Sequence, residues 1–184
     1  MFLHRVADGI VYVGSYDYNV YAINAISGQL VWSYMTGGNV SSTPAVANGV
    51  VYVGSSDGSV YALDAANGKP LWNFTTGGPI ASSPAVAKGI VYVGSYDGSV
   101  YALNAQTGTQ IWSYATGGMV VSSPAIADGA VYIGSYSHIL YAFSSLASKQ
   151  TQSPLEQTFL PISIAIALVI AVLAILIARK RFRR

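Results

Sequence analysis

The chain has 184 residues, of which only 9% are charged and 52% hydrophobic. That composition excludes intrinsic disorder over most of its length, which needs low hydrophobicity and high charge. Cysteine is absent, which removes disulfides, thiolate metal sites, iron–sulfur clusters and cysteine nucleophiles together. The net charge of +2 is the sum of two unlike parts. Residues 1–155 hold four basic residues (Arg5, Lys69, Lys88, Lys149) against six aspartates, a net of −2. No basic footprint for nucleic acid covers that part.

From the first residues onward the chain repeats with a period of 40: Tyr12, Tyr52, Tyr92 and Tyr132 keep the step, as do Trp32, Trp72 and Trp112, and Pro44, Pro84 and Pro124. Residues 46–85 and 86–125 are identical at 25 of 40 positions without a gap. Each unit reads as short strands. Val50-Val51-Tyr52-Val53 is β-branched and aromatic and ends at Gly54. Asp57-Gly58 predicts a type I′ hairpin, with Asp17 and Asp97-Gly98 at the same place in neighbouring units. Val60-Tyr61-Ala62-Leu63 is a second strand, Asn67-Gly68 a turn of the same kind, and Leu71-Trp72-Asn73-Phe74 a third strand. After Gly77-Gly78, Ser83-Pro84-Ala85-Val86 leads into a fourth strand ahead of the next unit. Four short antiparallel strands per 40 residues predict the blade of a β-propeller, with a β-solenoid as runner-up. The units run over about 6–45, 46–85, 86–125 and a partial 126–143, where Ser137-His138 stands in place of Asp-Gly and the tryptophan is missing.

The run Tyr92-Val93-Gly94-Ser95-Tyr96-Asp97-Gly98-Ser99-Val100-Tyr101-Ala102-Leu103-Asn104-Ala105, followed by Thr107-Gly108 and Trp112, resembles the pyrroloquinoline-quinone-like (PQQ-like) propeller repeat. The resemblance covers residues 6–143 and implies an all-β propeller in which Trp32, Trp72 and Trp112 dock between neighbouring blades. Its members close rings of six to eight blades. Three and a half blades leave open faces, so the chain is expected to be a piece of a longer propeller, to pair with a second copy, or to stay an open stack. The first is favoured, because a repeat starts within six residues of Met1 and Met1-Phe2-Leu3-His4-Arg5 has no apolar leader.

Residues 144–158 are polar and read as a linker. Phe159 to Ala178 is a run of 20 uncharged residues. At about 1.5 Å per residue it would span roughly 30 Å, the thickness of a bilayer core, and it predicts one transmembrane helix. Arg179, Lys180, Arg181, Arg183 and Arg184 follow at once, and this basic tail predicts a cytoplasmic C-terminus with the blades outside. The expected address is the cell membrane, single-pass, with the lipid bilayer as one partner and a protein or second copy at the open propeller edges as another. A tail-anchored protein with cytoplasmic blades is the competing topology.

No catalytic constellation emerges. The quinone-dependent enzymes of the resembled family use a vicinal cysteine pair, a calcium site and a catalytic aspartate; this chain has no cysteine, and Asp17, Asp57 and Asp97 fall at turns, where aspartate serves the backbone. His4 and His138 have no repeated partner. Ser42, Ser82-Ser83 and Ser122-Ser123 precede proline in their units and read as residues leading into strands. Gly37-Gly38 is followed by neither the lysine nor the helix of a phosphate loop. The expectation is no enzyme, no catalytic residue, no metal and no cofactor, with the quinone suggested by the family name alone. The expected role is a membrane-anchored extracytoplasmic binding or scaffold module. The alternatives are a quinoprotein oxidoreductase or its remnant, and a carbohydrate-binding surface module using the tyrosines.

Overall fold

A computed structural model of the chain describes residues 4–144. Each repeat becomes one antiparallel meander. The first sheet is β1 (His4–Ala7), β2 (Ile10–Gly14), β3 (Asn19–Asn24) and β4 (Leu30–Met35), hydrogen-bonded in that order. The second is β5 (Ala45–Ala47), β6 (Val50–Gly54), β7 (Ser59–Asp64) and β8 (Pro70–Thr75). The third is β9 (Ala85–Ala87), β10 (Ile90–Gly94), β11 (Ser99–Asn104) and β12 (Gln110–Ala115). The fourth has three strands among the described residues: β13 (Ala125–Ala127), β14 (Ala130–Gly134) and β15 (Leu140–Ser144). The described chain is thus all-β, in four antiparallel sheets arranged as propeller blades.

One strand groups differently from the sequence expectation. Ala85–Ala87 opens the following sheet, where it pairs with β10. The reason is its turn: Lys88 and Gly89 both have left-handed backbone (φ 50° and 74°), as a two-residue type I′ hairpin requires. Asp8-Gly9, Asn48-Gly49 and Asp128-Gly129 repeat it.

The type I′ expectation fails at the other two turns. At Asp57-Gly58 only the glycine is left-handed (φ 88°). Gly58 N–H donates to Ser55 O at 3.1 Å and Ser55 N–H to Ser59 O at 3.0 Å, closing a three-residue loop. Asn67-Gly68 lies in a longer loop, where Asp64 Oδ1 accepts the Ala66 and Asn67 amides at 2.9 and 3.2 Å. That side chain offers the amides a local partner and draws them into a turn. The extra residue shifts the β7–β8 register between Ala62 and Leu63.

The core lies between sheets. Successive strand residues point to opposite faces, so a sheet with apolar residues on both faces must be covered twice. Tyr12, Val20 and Ala22 of the first sheet pack with Val51, Val53 and Leu63 of the second. Tyr52, Val60 and Ala62 meet Val91, Val93 and Leu103 in the same way. The third junction brings Tyr92 and Ala102 to Val131, and Val100 to Ile133. Burial of each valine or leucine contributes about 1.5–3 kcal/mol.

The position of Gly58 and Gly98 is Tyr18 in the first sheet and His138 in the fourth, and both keep left-handed backbone (φ 75° and 65°). A side chain there is strained, so Tyr18→Gly and His138→Gly are each expected to raise stability by about 1 kcal/mol. Urea denaturation midpoints measure this; an unchanged or lowered midpoint in both variants contradicts it.

Candidate functional site

The junctions between sheets hold the three tryptophans and the turn aspartates Asp57 and Asp97. Trp32 stands on β4 and reaches the second sheet, where its Nε1–H donates to Ala65 O at 2.9 Å. Its ring lies against the bare backbone of Gly68: a Cβ on that glycine would fall 2.7 Å from Trp32 Cδ2. Trp72 repeats both contacts, with Ala105 O at 3.0 Å and with Gly108. The same two carbonyls accept the hydroxyls of Tyr12 and Tyr52, at 3.2 and 3.1 Å. Trp112 faces Phe143 of the fourth sheet, ring centroids 5.0 Å apart.

Asp57 and Asp97 are clamps across the same junctions. Asp57 Oδ2 accepts Gly37 N–H from the segment that follows the first sheet, and Tyr61 O–H, each at 2.7 Å; Oδ1 accepts Ser59 N–H at 2.8 Å. Asp97 does the same with Gly77 N–H, Tyr101 O–H and Ser99 N–H, at 2.8, 2.7 and 2.8 Å. Burial alone would raise the Asp97 carboxyl, but these three donors outweigh it and hold the carboxyl below its ordinary value. Asp17 accepts Tyr21 O–H at 2.7 Å and Asn19 N–H at 3.0 Å, and these two donors in that order lower its pKa to about 2. Tyr61 is pushed up to about 12, by burial first and by its bond to Asp57 second. Gly58 and Gly98 provide the left-handed ends of these loops.

Where the aspartate is missing, the junction is rebuilt. Ser137 stands in its place, Gly117 takes left-handed backbone (φ 79°), and Tyr141 O–H donates to Thr116 O at 2.8 Å. Without a carboxylate to receive an amide, the peptide presents its carbonyl to the tyrosine instead.

The serines are structural links. Ser42 Oγ donates to Gly54 O at 2.9 Å and accepts Gly54 N–H at 2.8 Å, and Ser122 repeats this at Gly134. Ser82 Oγ accepts Gly94 N–H at 3.1 Å. Ser83 Oγ receives Thr43 N–H and Ser123 Oγ receives Ser83 N–H, at 2.8 and 3.0 Å. These last hydroxyls line a cleft of about 410 Å³ along the first strands of the sheets, with Arg5 and His4 at one side. His4 stands on β1 of the first sheet and His138 in the turn between β14 and β15 of the fourth.

The links between repeats were not legible in the sequence. Thr36, Thr76 and Thr116 bond their own Gly-Gly segment and the serine of the next sheet, Ser55, Ser95 or Ser135, at 3.4, 3.0 and 2.8 Å. The recurrence of Thr-Gly-Gly every 40 residues was the available signal. The linker, the apolar run 159–178 and the orienting residues Arg179, Lys180, Arg181, Arg183 and Arg184 lie outside the described residues. Among the described residues no helix is long and apolar enough to cross a membrane.

A family model described as outer membrane protein assembly factor BamB matches residues 3–180. No curated protein matches the chain. Among solved structures, BamB from Moraxella catarrhalis is similar at TM-score 0.69 and 22% identity, over 77% of this chain and 45% of that one. The computationally designed Ika4 protein gives 0.71 and 20%, over 78% of this chain and 91% of that one. A quinohemoprotein alcohol dehydrogenase from Comamonas testosteroni gives 0.65 and 25%, over 72% and 28%. The chain therefore spans less than half the length of the Moraxella protein.

The Asp97 clamp has a pH signature. The folded-state pKa lies below the ordinary 3.8, so its contribution is complete above that value and fades as pH falls through the lowered one. Asp97→Asn is expected to cost about 1 kcal/mol at pH 7, kept small by solvent screening, and less at pH 2.5. Urea midpoints of both proteins at the two pH values test this; a gap that widens in acid contradicts it.

Proposed function

Because the chain belongs to the family described as outer membrane protein assembly factor BamB, we propose that it is a docking scaffold without catalysis of its own. The observation that carries this reading is the use of its acids. Asp57 and Asp97 each hold three donors within or across blade junctions, and Asp64 caps a loop. Asp8 and Asp128 shape left-handed turns. A carboxylate saturated by amides and a phenol has little left to offer a cation or a substrate.

A quinone and calcium are implied by the quinoprotein relatives, and the residues present do not fit them. The chain has no cysteine for a vicinal pair, and the repeat aspartates already have partners. The oxidoreductase reading rests on the 25% identity to the quinohemoprotein alcohol dehydrogenase.

The scaffold acts outside the cell, tethered by residues 159–178 with the basic tail at the cytoplasmic face. The apolar run and the five cations after it support this, since those charges stay on the side where they are made. The bilayer is then one partner and a protein at the open sheets the other. An open rim of paired β-sheets favours protein contacts over small-molecule chemistry.

Two measurements test the reading. On addition of pyrroloquinoline quinone and calcium, no stoichiometric bound-quinone absorbance is expected; its appearance would overturn the scaffold assignment. With intact cells, external protease is expected to digest the sheets and spare a tag at Arg184. Protected sheets with a cleaved tag would reverse the topology.

A further inference from the structure

Each internal junction joins the same two faces. The trailing face presents tyrosine, valine and alanine, as Tyr12, Val20 and Ala22 do; the leading face of the next sheet presents Val51, Val53 and Leu63. At the ends of the stack these faces are left without a neighbour among the described residues. On the fourth sheet Tyr132 is 37% exposed, where Tyr12, Tyr52 and Tyr92 are 3%, 3% and 2%. Leu140 is 60% exposed, where Val20, Val60 and Val100 are all 0%. On the first sheet Val11, Val13 and Ile23 are half-buried, while their counterparts Val51, Val53 and Leu63 are 0% exposed. Ala25 occupies the place of Ala65 and Ala105, whose carbonyls receive a tyrosine and a tryptophan each. Nothing lies within 4 Å of the Cβ position on Gly28, the counterpart of Gly68.

We propose that these end faces mate between two copies of this chain, the fourth sheet of one seating on the first sheet of the other, twice, so that two chains close one ring. Each end face is the missing half of the other, in the chemistry of a junction already formed three times within the chain. Tyr132 O–H would donate to Ala25 O of the second copy, as Tyr12 does to Ala65 O at 3.2 Å. A head-to-tail contact must close or run on as a filament, and a two-fold ring closes it. The seam lacks a tryptophan on the fourth sheet's described strands, so it is weaker than the internal junctions and dissociates on dilution.

The test uses the full chain in nanodiscs, with benzoylphenylalanine in place of Tyr132 and a mixture of light and isotopically heavy copies. The expected result is a protein mass twice 19.3 kDa and light–heavy crosslinks from position 132 to residues 23–28. Val13→Asp, on the opposite face of the seam, is expected to halve the mass while leaving the β-sheet circular dichroism in place. If that variant does not fold, Leu140→Asp serves from the other side. A single-chain mass at every concentration overturns the proposal. So do crosslinks from position 132 confined to one chain, and crosslinks to a different protein.

Discussion

Burial of the tyrosine–valine–alanine face of one sheet under the valine–valine–leucine face of the next governs the whole molecule. A four-stranded meander of this sequence is apolar on both sides, so no sheet is stable alone, and each depends on a neighbour at front and back. The second and third sheets have both neighbours, and Val51, Val53, Val91 and Val93 are sealed from water. Among the described residues the first and fourth have one each, and their outer faces keep the sequence of a junction without its burial.

Polar groups follow from that stacking. Bringing sheets together traps amides and hydroxyls between them, and a trapped polar group without a partner costs more than a bond returns. Asp57, Asp97, Thr36, Thr76 and Thr116 answer this need in register with the repeat. The fourth sheet shows the rule by exception. With Ser137 in place of aspartate, a tyrosine hydroxyl and a reversed peptide take over.

The same account explains why the family's fold need not bring the chemistry of its enzymatic members. Fold and function separate on such scaffolds, and Asp57 and Asp97 here serve the repeat by joining its sheets. The departures from the repeat are elsewhere: Arg5 and His4 on β1, Tyr18 and His138 in left-handed turns, and Leu140 on an open face.

Much of the fold was legible in the chain alone. A 40-residue period, strand-forming triplets and regularly placed glycines imply four similar sheets, because period and β-branching are local properties. Three things needed the folded molecule. The turn types at Asp57-Gly58 and Asn67-Gly68 were misread because side-chain capture of amides decides them, and that depends on loop length. The strand Ala85–Ala87 was attached to the unit before it, although its hairpin ties it to the unit after. The clamp between Asp57 and Gly37, 20 residues apart, joins two sheets that only stacking brings within hydrogen-bond distance. Sequence determined the repeat and the apolar faces, since these need only neighbours along the chain. Tertiary structure decided which residues act together across sheets, since that depends on what lies beside each sheet.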